Sequence, residues 1–346
     1  MKKWIISISV LIIILFILVF LNYRNSATIV LNGFAQGTTY HIVYIPDFSV
    51  RFLLDKDEFN YQDEIDSLLN RFNQSLSVYH PESVISRINK NDSLVVVDDL
   101  FEKVFQRASE VSETTNGAFD MTVGPIVNAW GFGPGEKGEV DSVTIDSLLQ
   151  YVGIDKVSIV AGRVVKTDPG VIIDVNAIAQ GYSVDLLSAF LENQGIDNFL
   201  VELGGEMTVS GTKPRGELWK IGIDKPIDNN LIPGQVLQAK VSLYNRSLAT
   251  SGNYRKFYEE NGIKYSHTID PETGFPVRHN LLSVTVIAGD CMTADAFATA
   301  FLVMGLDKSI EMISRMDDLE GYFIYSGEKG EFETYATEGF AEMIVK

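Results

Sequence analysis

Asp295 and Thr299 stand four residues apart in Thr293-Ala294-Asp295-Ala296-Phe297-Ala298-Thr299. If Thr293 is the N-cap of an apolar helix, Asp295 lies in its first turn and Thr299 one turn later. Residues at i and i+4 share a face, with β-carbons about 5–6 Å apart. A carboxylate and a hydroxyl are then presented side by side. Hard oxygens of this kind suit Mg2+, which takes few protein ligands and completes its shell with phosphates and water. The same spacing also fits a plain account: an Asp favoured by the helix dipole, followed by a core threonine. Spacing alone favours the plain account.

Asp174-Val175-Asn176-Ala177-Ile178-Ala179-Gln180-Gly181 follows an apolar run and opens a helical pattern. Free N–H groups at a helix start suit anions, and Asp174 at a strand end suits a base edge or ribose. Capping by Asn176 explains the segment equally. Gly204-Gly205 lets a ligand approach the backbone closely. His267, beside the turn Asp270-Pro271-Glu272-Thr273-Gly274, has the chemistry of a general base. A structural histidine is the commoner case, and His41, His80 and His279 have no better claim by spacing. Gly117-Ala118-Phe119-Asp120 and Val123-Gly124-Pro125 surround a turn, and Asn128 to Gly133 places Trp130 and Phe132 among glycines. Such aromatics stack on flat rings or pack in cores.

These residues need elements to hold them. Ala27 to Val43 reads as two strands with a turn at Gln36-Gly37. Ile65, Leu68, Leu69 and Phe72 recur at helical spacing, and Leu100 to Thr114 does likewise, closed by Asn116-Gly117. Gly131 to Asp141 is a loop. Val157–Val160 and Arg163–Lys166 form a hairpin, Val171–Val175 a short strand, and Asn176 to about Gln194 a helix stopped by Gly195. Strands follow at Phe199–Leu203, between Trp219 and Val241, at Lys264–Ile269 and at Leu281–Ala288. The helix from Thr293 ends at Gly305, and the last strands lie near Gly321–Tyr325 and Ala341–Val345. Strands and helices mix without regular βαβ alternation, so the expected class is α+β.

A net charge of −18 excludes binding to nucleic-acid phosphates as a main role. With Cys291 as the single cysteine, no intramolecular disulfide and no cysteine metal cluster can form. Lys2 and Lys3 precede an unbroken apolar run, Trp4 to Leu21. As a helix it spans about 27 Å, against a hydrocarbon core of roughly 30 Å. A signal peptide has a shorter core and a small-residue cleavage site, whereas Asn22-Tyr23-Arg24-Asn25 follows here. Residues 1–24 are therefore expected to be one N-terminal transmembrane anchor with its start in the cytoplasm. Residues 25–346 then form one extracytoplasmic domain, which in a bacterium with two membranes is periplasmic and held at the inner membrane.

The ordered blocks carry more than any one motif. They are Gly37-Thr38-Thr39-Tyr40; Leu76-Ser77-Val78-Tyr79 with Ser83 to Asn89; Asn116 to Asp120 running on to Trp130-Gly131-Phe132-Gly133; Asp174 to Gly181; Glu202 to Glu206; Ala249-Thr250-Ser251-Gly252; Ser266 to Pro271; and Met292 to Asp295. In this order the chain resembles the flavin:protein FMN transferase (ApbE) family over nearly all of residues 32 to 340. The resemblance implies an α+β fold with FAD in a central cleft and Mg2+ on its pyrophosphate. It implies that FMN passes to a Ser or Thr hydroxyl of a partner protein and that AMP leaves. It implies metal ligation by the Ala177 carbonyl, Asp295 and Thr299. FAD contacts are implied at Gln36, Tyr79, Ala118, Phe119, Asp120, Asp174, Gln180 and Ile269, with His267 assisting the chemistry. The acceptor it implies is a membrane electron-transfer subunit. Gln36 stands where the family commonly has Met, Gln180 where many members have Lys, and the lipid-accepting cysteine of many members is absent. Hydrolysis of FAD to FMN and AMP, or flavin binding without catalysis, are the rival readings.

Overall fold

The computed structural model describes residues 11–17, 28–46, 60–135, 140–227, 234–253, 257–260 and 263–345. In chain order β1 (Ile29–Ala35) and β2 (Thr38–Tyr44) form a hairpin, followed by α1 (Gln62–Leu76), α2 (Val84–Asn89), α3 (Asp99–Thr114), α4 (Gly124–Ala129) and α5 (Ser142–Leu149). A hairpin of β3 (Val157–Val160) and β4 (Arg163–Lys166) leads to α6 (Asn176–Asn193), β5 (Phe199–Leu203), β6 (Glu206–Ser210), β7 (Trp219–Asp224), β8 (Leu237–Leu243) and β9 (Arg246–Gly252). The chain closes with β10 (Phe257–Glu260), β11 (Ile263–Ser266), β12 (Leu281–Ala288), α7 (Cys291–Met304), α8 (Leu306–Ile313), β13 (Glu320–Ser326), β14 (Phe332–Ala336) and α9 (Glu338–Met343).

The centre is an antiparallel sheet of order β1-β2-β5-β6-β9-β12-β13-β14. With helices mixed in at its faces, the fold is α+β. The β12 sequence LLSVTVIA is buried at all but one position, so this strand is covered on both faces. One cover is α7. Eleven of its fourteen residues are buried, and a helix apolar on every side belongs inside the protein. The main core joins α3, α6, α7 and β12 through residues such as Val104, Ile178, Phe301 and Val284. A second cluster seats α1 and α6 on the β1–β2–β5 end. The β7–β8 hairpin and α9 pack with Leu248, Ile287 and Ile324 of the sheet in a third cluster.

Several expectations are corrected. Thr293 is not the cap of α7: Asp290 is, its carboxylate accepting the Thr293 N–H at 2.8 Å. Asp and Thr both have N-cap chemistry, and with Asp290 as the cap α7 starts three residues earlier, at Cys291. Val171–Val175 is buried at alternate positions, yet joins no ladder beyond one bridge from Ile172 to Val123. Asn176 does not cap α6; Val175 stands at the cap position, and the Asp174 carboxylate accepts the Asn176 N–H at 2.8 Å. The expected strand at Lys264–Ile269 ends at Ser266. The last strand is β14, and Ala341–Val345 is instead the end of α9 and a bridge from Ile344 to Val241. The turn expected between Gly117–Asp120 and Val123-Gly124-Pro125 is present at Met121-Thr122, and Gly124-Pro125 then opens a short helix, with proline in its first turn, where no amide is needed. Asp141, read as loop, caps α5. Of the Gly131–Asp141 loop, residues 136–139 lie outside the described residues.

Among the described residues no helix is long and apolar enough to cross a membrane. The expected anchor, Trp4 to Leu21, falls mostly outside the described residues; only 11–17 are described, and these are helical.

Candidate functional site

The site is built where α6 crosses α7. Gly181 lies at the crossing: a β-carbon there would stand 2.7 Å from the Cys291 carbonyl carbon and 2.8 Å from the Asp295 β-carbon. The missing side chain lets the Gly181 N–H reach Oδ2 of Asp295 at 3.0 Å. In an α-helix the N–H of residue i points back at the carbonyl of i−4, which for Gly181 is Ala177. The Asp295 carboxylate is thereby set beside the Ala177 carbonyl, although the two are far apart in sequence. Thr299, one turn along α7, has its hydroxyl 2.9 Å from that of Ser251 on β9.

Asp295 is buried, and desolvation pushes its pKa from 3.8 up to about 7, against the opposing pull of the Gly181 amide. A carboxylate in that state gains most from a cation that replaces its proton. One carboxylate, one hydroxyl and one backbone carbonyl are all hard oxygens, few in number, and leave room for phosphate oxygens and water. The donor set fits Mg2+. Among the described residues there is no group of three His, Cys, Asp or Glu that could hold a different metal.

A second group of residues gathers at the start of α6. Asn89, the last residue of α2, grips Ile173 twice: its Nδ2 donates to the Ile173 carbonyl at 2.8 Å and its Oδ1 accepts the Ile173 N–H at 2.8 Å. The Asp174 N–H donates to the Met121 carbonyl at 2.7 Å, which joins the strand-like segment to the Ala118–Asp120 turn. In that turn Asp120 accepts from the backbone and hydroxyl of Thr122 at 2.7 and 2.6 Å. Burial raises the pKa of both Asp120 and Asp174. Tyr79 is raised too, first by desolvation and then by the Asp174 charge. Yet Tyr79 is 60% exposed, an unusual state for a large aromatic and one suited to stacking on a ligand. Its hydroxyl reaches toward the Phe132 carbonyl at 3.5 Å.

His267 meets the Phe132 ring edge-on, with centroids 6.3 Å apart. Trp130 Nε1 donates to the Gly274 carbonyl at 2.8 Å, tying the aromatic-glycine segment to the turn after His267. Gln36 and Gly37 both have positive φ, 52° and 75°, as a two-residue hairpin turn requires. From this turn the Gln36 amide reaches the Ser183 hydroxyl on α6 at 2.5 Å. A β-carbon on Gly204 would stand 2.8 Å from Gln180 Nε2 and 3.0 Å from the Thr38 side chain, so the Gly204-Gly205 turn, the hairpin and α6 converge.

The crossing thus carries Ala177 and Gln180 on α6 and Asp295 and Thr299 on α7, and Gln36 reaches Ser183 of α6 from the β1–β2 turn. Tyr79, the Ala118–Asp120 turn and Asp174 gather before α6, and His267 meets Phe132, toward whose carbonyl the Tyr79 hydroxyl reaches. The side chains of Phe119 and Ile269 do not join them. Phe119 packs in the main core, and Ile269 packs with Ile126, Trp130 and Ile145. Any ligand contact from these two falls to their backbones. Sequence reasoning missed Gly181 as the crossing point, Ser251 as the partner of Thr299, and Asp185. The signal for Asp185 was a carboxylate within the run Gly181 to Leu191, otherwise free of charge.

A family model described as the ApbE family matches residues 36–323. The FAD:protein FMN transferase of Haemophilus influenzae is 36% identical over 330 residues, 92% of each chain. That of Escherichia coli K12 is 32% identical over 326 residues, 91% of this chain and 89% of the other. Among solved structures, the flavin transferase ApbE from Vibrio cholerae superposes with a TM-score of 0.80 at 34% identity, covering 92% of this chain and 99% of that one. The apo flavinyl transferase ApbE of Pseudomonas stutzeri gives 0.80 at 31% identity, covering 92% and 96%. With the match spanning the α6–α7 crossing and every segment around it, the chain belongs to the ApbE family.

Proposed function

We propose that this protein is an FAD:protein FMN transferase that moves FMN from FAD to a Ser or Thr hydroxyl of a partner protein, with Mg2+ as cofactor and AMP as the leaving group. The observation that carries this reading is the bond from the Gly181 N–H of α6, one turn after Ala177, to the buried Asp295 carboxylate of α7. It stands in a chain whose relatives, matched over about nine-tenths of its length, bear that name.

In the reaction the acceptor hydroxyl oxygen bonds to the FMN-side phosphorus of the pyrophosphate. The bond from that phosphorus to the bridging oxygen breaks, and AMP takes the electron pair. His267 receives the hydroxyl proton. Asp295, Thr299 and the Ala177 carbonyl would hold Mg2+, which would supply charge neutralisation on the pyrophosphate and the leaving AMP. Such help matters more than usual in a chain of net charge −18. Tyr79, the Ala118–Asp120 turn and Asp174 orient the flavin nucleotide, and Gln36 and Gln180 line the end nearer the metal.

The address is also a proposal. Lys2 and Lys3 before the apolar run Trp4 to Leu21 support an uncleaved anchor with the catalytic domain outside the cytoplasm, at the inner membrane and facing the periplasm. An acceptor subunit of a membrane electron-transfer complex fits that address.

The test is to incubate the purified protein with FAD, Mg2+ and an acceptor protein bearing a candidate Thr, and to follow intact mass. FMN added to the acceptor supports transfer. Free FMN released at the same rate without acceptor means hydrolysis instead. No FAD turnover sinks both.

A further inference from the structure

Asp185 lies one turn after Gly181 on α6, on the same face. Its Oδ1 accepts the Cys291 N–H at 2.7 Å and its Oδ2 accepts the Met292 N–H at 2.8 Å. These are the first two amides of α7, which no carbonyl within that helix can satisfy. At the other end of the crossing the direction reverses, and the Asp295 carboxylate of α7 accepts the Gly181 amide of α6. The two helices exchange carboxylate-to-amide bonds both ways, with no side chain between them at Gly181.

Capping of α7 by Asp185 is not local: it serves the first two amides from another helix, while Asp290 accepts from the backbone and the hydroxyl of Thr293 at 2.8 Å. Arg107 on α3 braces the same hydroxyl, its Nε and Nη2 donating at 3.1 and 2.9 Å. Nor is Asp185 a cheap source of stability. Burial pushes its pKa up to about 7 in spite of the two amides; Asp290 adds repulsion, and Lys103 offsets part of it. What a two-oxygen contact to consecutive amides adds is a fixed register between helices. A slip of one residue along α7 moves Asp295 by about 1.5 Å and turns it by about 100°. Mg2+ demands oxygens near 2.0–2.1 Å in strict geometry, so a slip of that size breaks the ligand set.

We infer that Asp185 is a positioning residue for the metal site: by clamping the first turn of α7 onto α6, it sets the spacing at which Asp295 and Thr299 meet the Ala177 carbonyl. The inference rests on the ligand set proposed above.

The experiment uses Mn2+ in place of Mg2+, with binding to the full-length protein measured by electron paramagnetic resonance of the free ion. Asp185→Ala should raise the Mn2+ dissociation constant by roughly 10- to 100-fold, as loss of supporting contacts does at other metal sites. Asp185→Asn keeps the shape and one acceptor, and should fall between Asp185→Ala and the parent. If Asp185→Ala fails to fold, Asp185→Asn carries the test. Ile223→Ala, in the third cluster away from the crossing, supplies a control that lowers Tm without changing the Mn2+ constant. Parent-like Mn2+ binding by the Asp185 variants alongside a lowered Tm would show a merely structural role and overturn the inference. Asp295→Ala separates the two levels. If it loses Mn2+ while the Asp185 variants keep it, only the positioning role falls. If it keeps Mn2+, the ligand set falls and the inference with it.

Discussion

Gly181 and Asp295 touch so closely that a β-carbon on the glycine would stand 2.8 Å from the β-carbon of the aspartate, with the Cys291 backbone nearer still. The obstacle is backbone and cannot swing aside. Gly181→Ala should therefore push α7 off α6, costing about 1–3 kcal/mol of stability by overpacking. FMN transfer should fall by at least 100-fold, because the metal ligands lie on the two sides of that contact. Denaturant unfolding and the transfer assay check both. A variant with full activity would show that the crossing does not set the ligand spacing.

Thr299 shares its hydroxyl with Ser251. Thr299→Val keeps the shape and removes the oxygen, so the Mg2+ concentration for half-maximal activity should rise about 10- to 100-fold. Thr299→Ser should stay within a few-fold of the parent. Equal Mg2+ requirements in the two variants would remove Thr299 from the ligand set.

His267→Ala should lower kcat by about 10²- to 10⁴-fold, the usual contribution of a general base, and leave FAD affinity within a few-fold. The check is a single-turnover rate beside an FAD fluorescence titration. Weakened FAD binding with unchanged kcat would make His267 a wall of the cleft and not its base.

Stability should depend on pH with an unusual sign. Burial raises both Asp185 and Asp295 from 3.8 to about 7. Between those values the folded chain holds more protons than the unfolded one. Their contribution is thus fully present below pH 3.8 and is lost as pH rises through 7, at up to about 1.4 kcal/mol per pH unit for each group. Asp120, Asp174 and Glu202 are shifted the same way; Asp92 and Asp141 are shifted downward and oppose them at lower pH. Urea unfolding without metal should show stability falling from pH 5 to pH 8, with a shallower fall in Asp185→Asn. Added Mg2+ should stabilise more at pH 8 than at pH 6, since it binds the ionised Asp295. A slope that Asp185→Asn leaves unchanged would contradict the buried state of that carboxylate.

Asn89 holds Ile173 by two bonds. Asn89→Ala should cost about 2 kcal/mol, roughly one per lost bond, and raise KM for FAD with a smaller change in kcat. Asn89 would act by holding the segment that carries Asp174. A parent-like KM would sever that link.

Much of this was legible where local rules and tertiary packing agree. The β12 run Leu281–Ala288 and the β5 run Phe199–Leu203 are apolar, bounded by turn residues, and fall at the predicted limits. The hairpin at Gln36-Gly37 follows from turn chemistry alone. Errors came where two residues compete for one role. Asp290 and Thr293 both have cap chemistry three residues apart, and the structure uses one to bind the other. Val171–Val175 has a strand pattern but pairs only through one bridge, Ile172 to Val123, because Asn89 and Met121 take polar groups of Ile173 and Asp174. Among the site residues, Asp295 and Thr299 were legible as a helical pair, but Asp185 was not. Its partners are backbone amides of another helix, and amides leave no trace in a residue pattern.

The Gly181–Asp295 contact spans 114 residues of chain. Closing a loop of that length is costly in chain entropy and slow. During synthesis the flavin-facing segments up to Gly181 precede the metal-bearing helix by that whole length. A growing chain thus makes the Ala177 carbonyl long before the Asp295 and Thr299 side chains, so the proposed ligand set is complete only once α7 has been added and packed on α6.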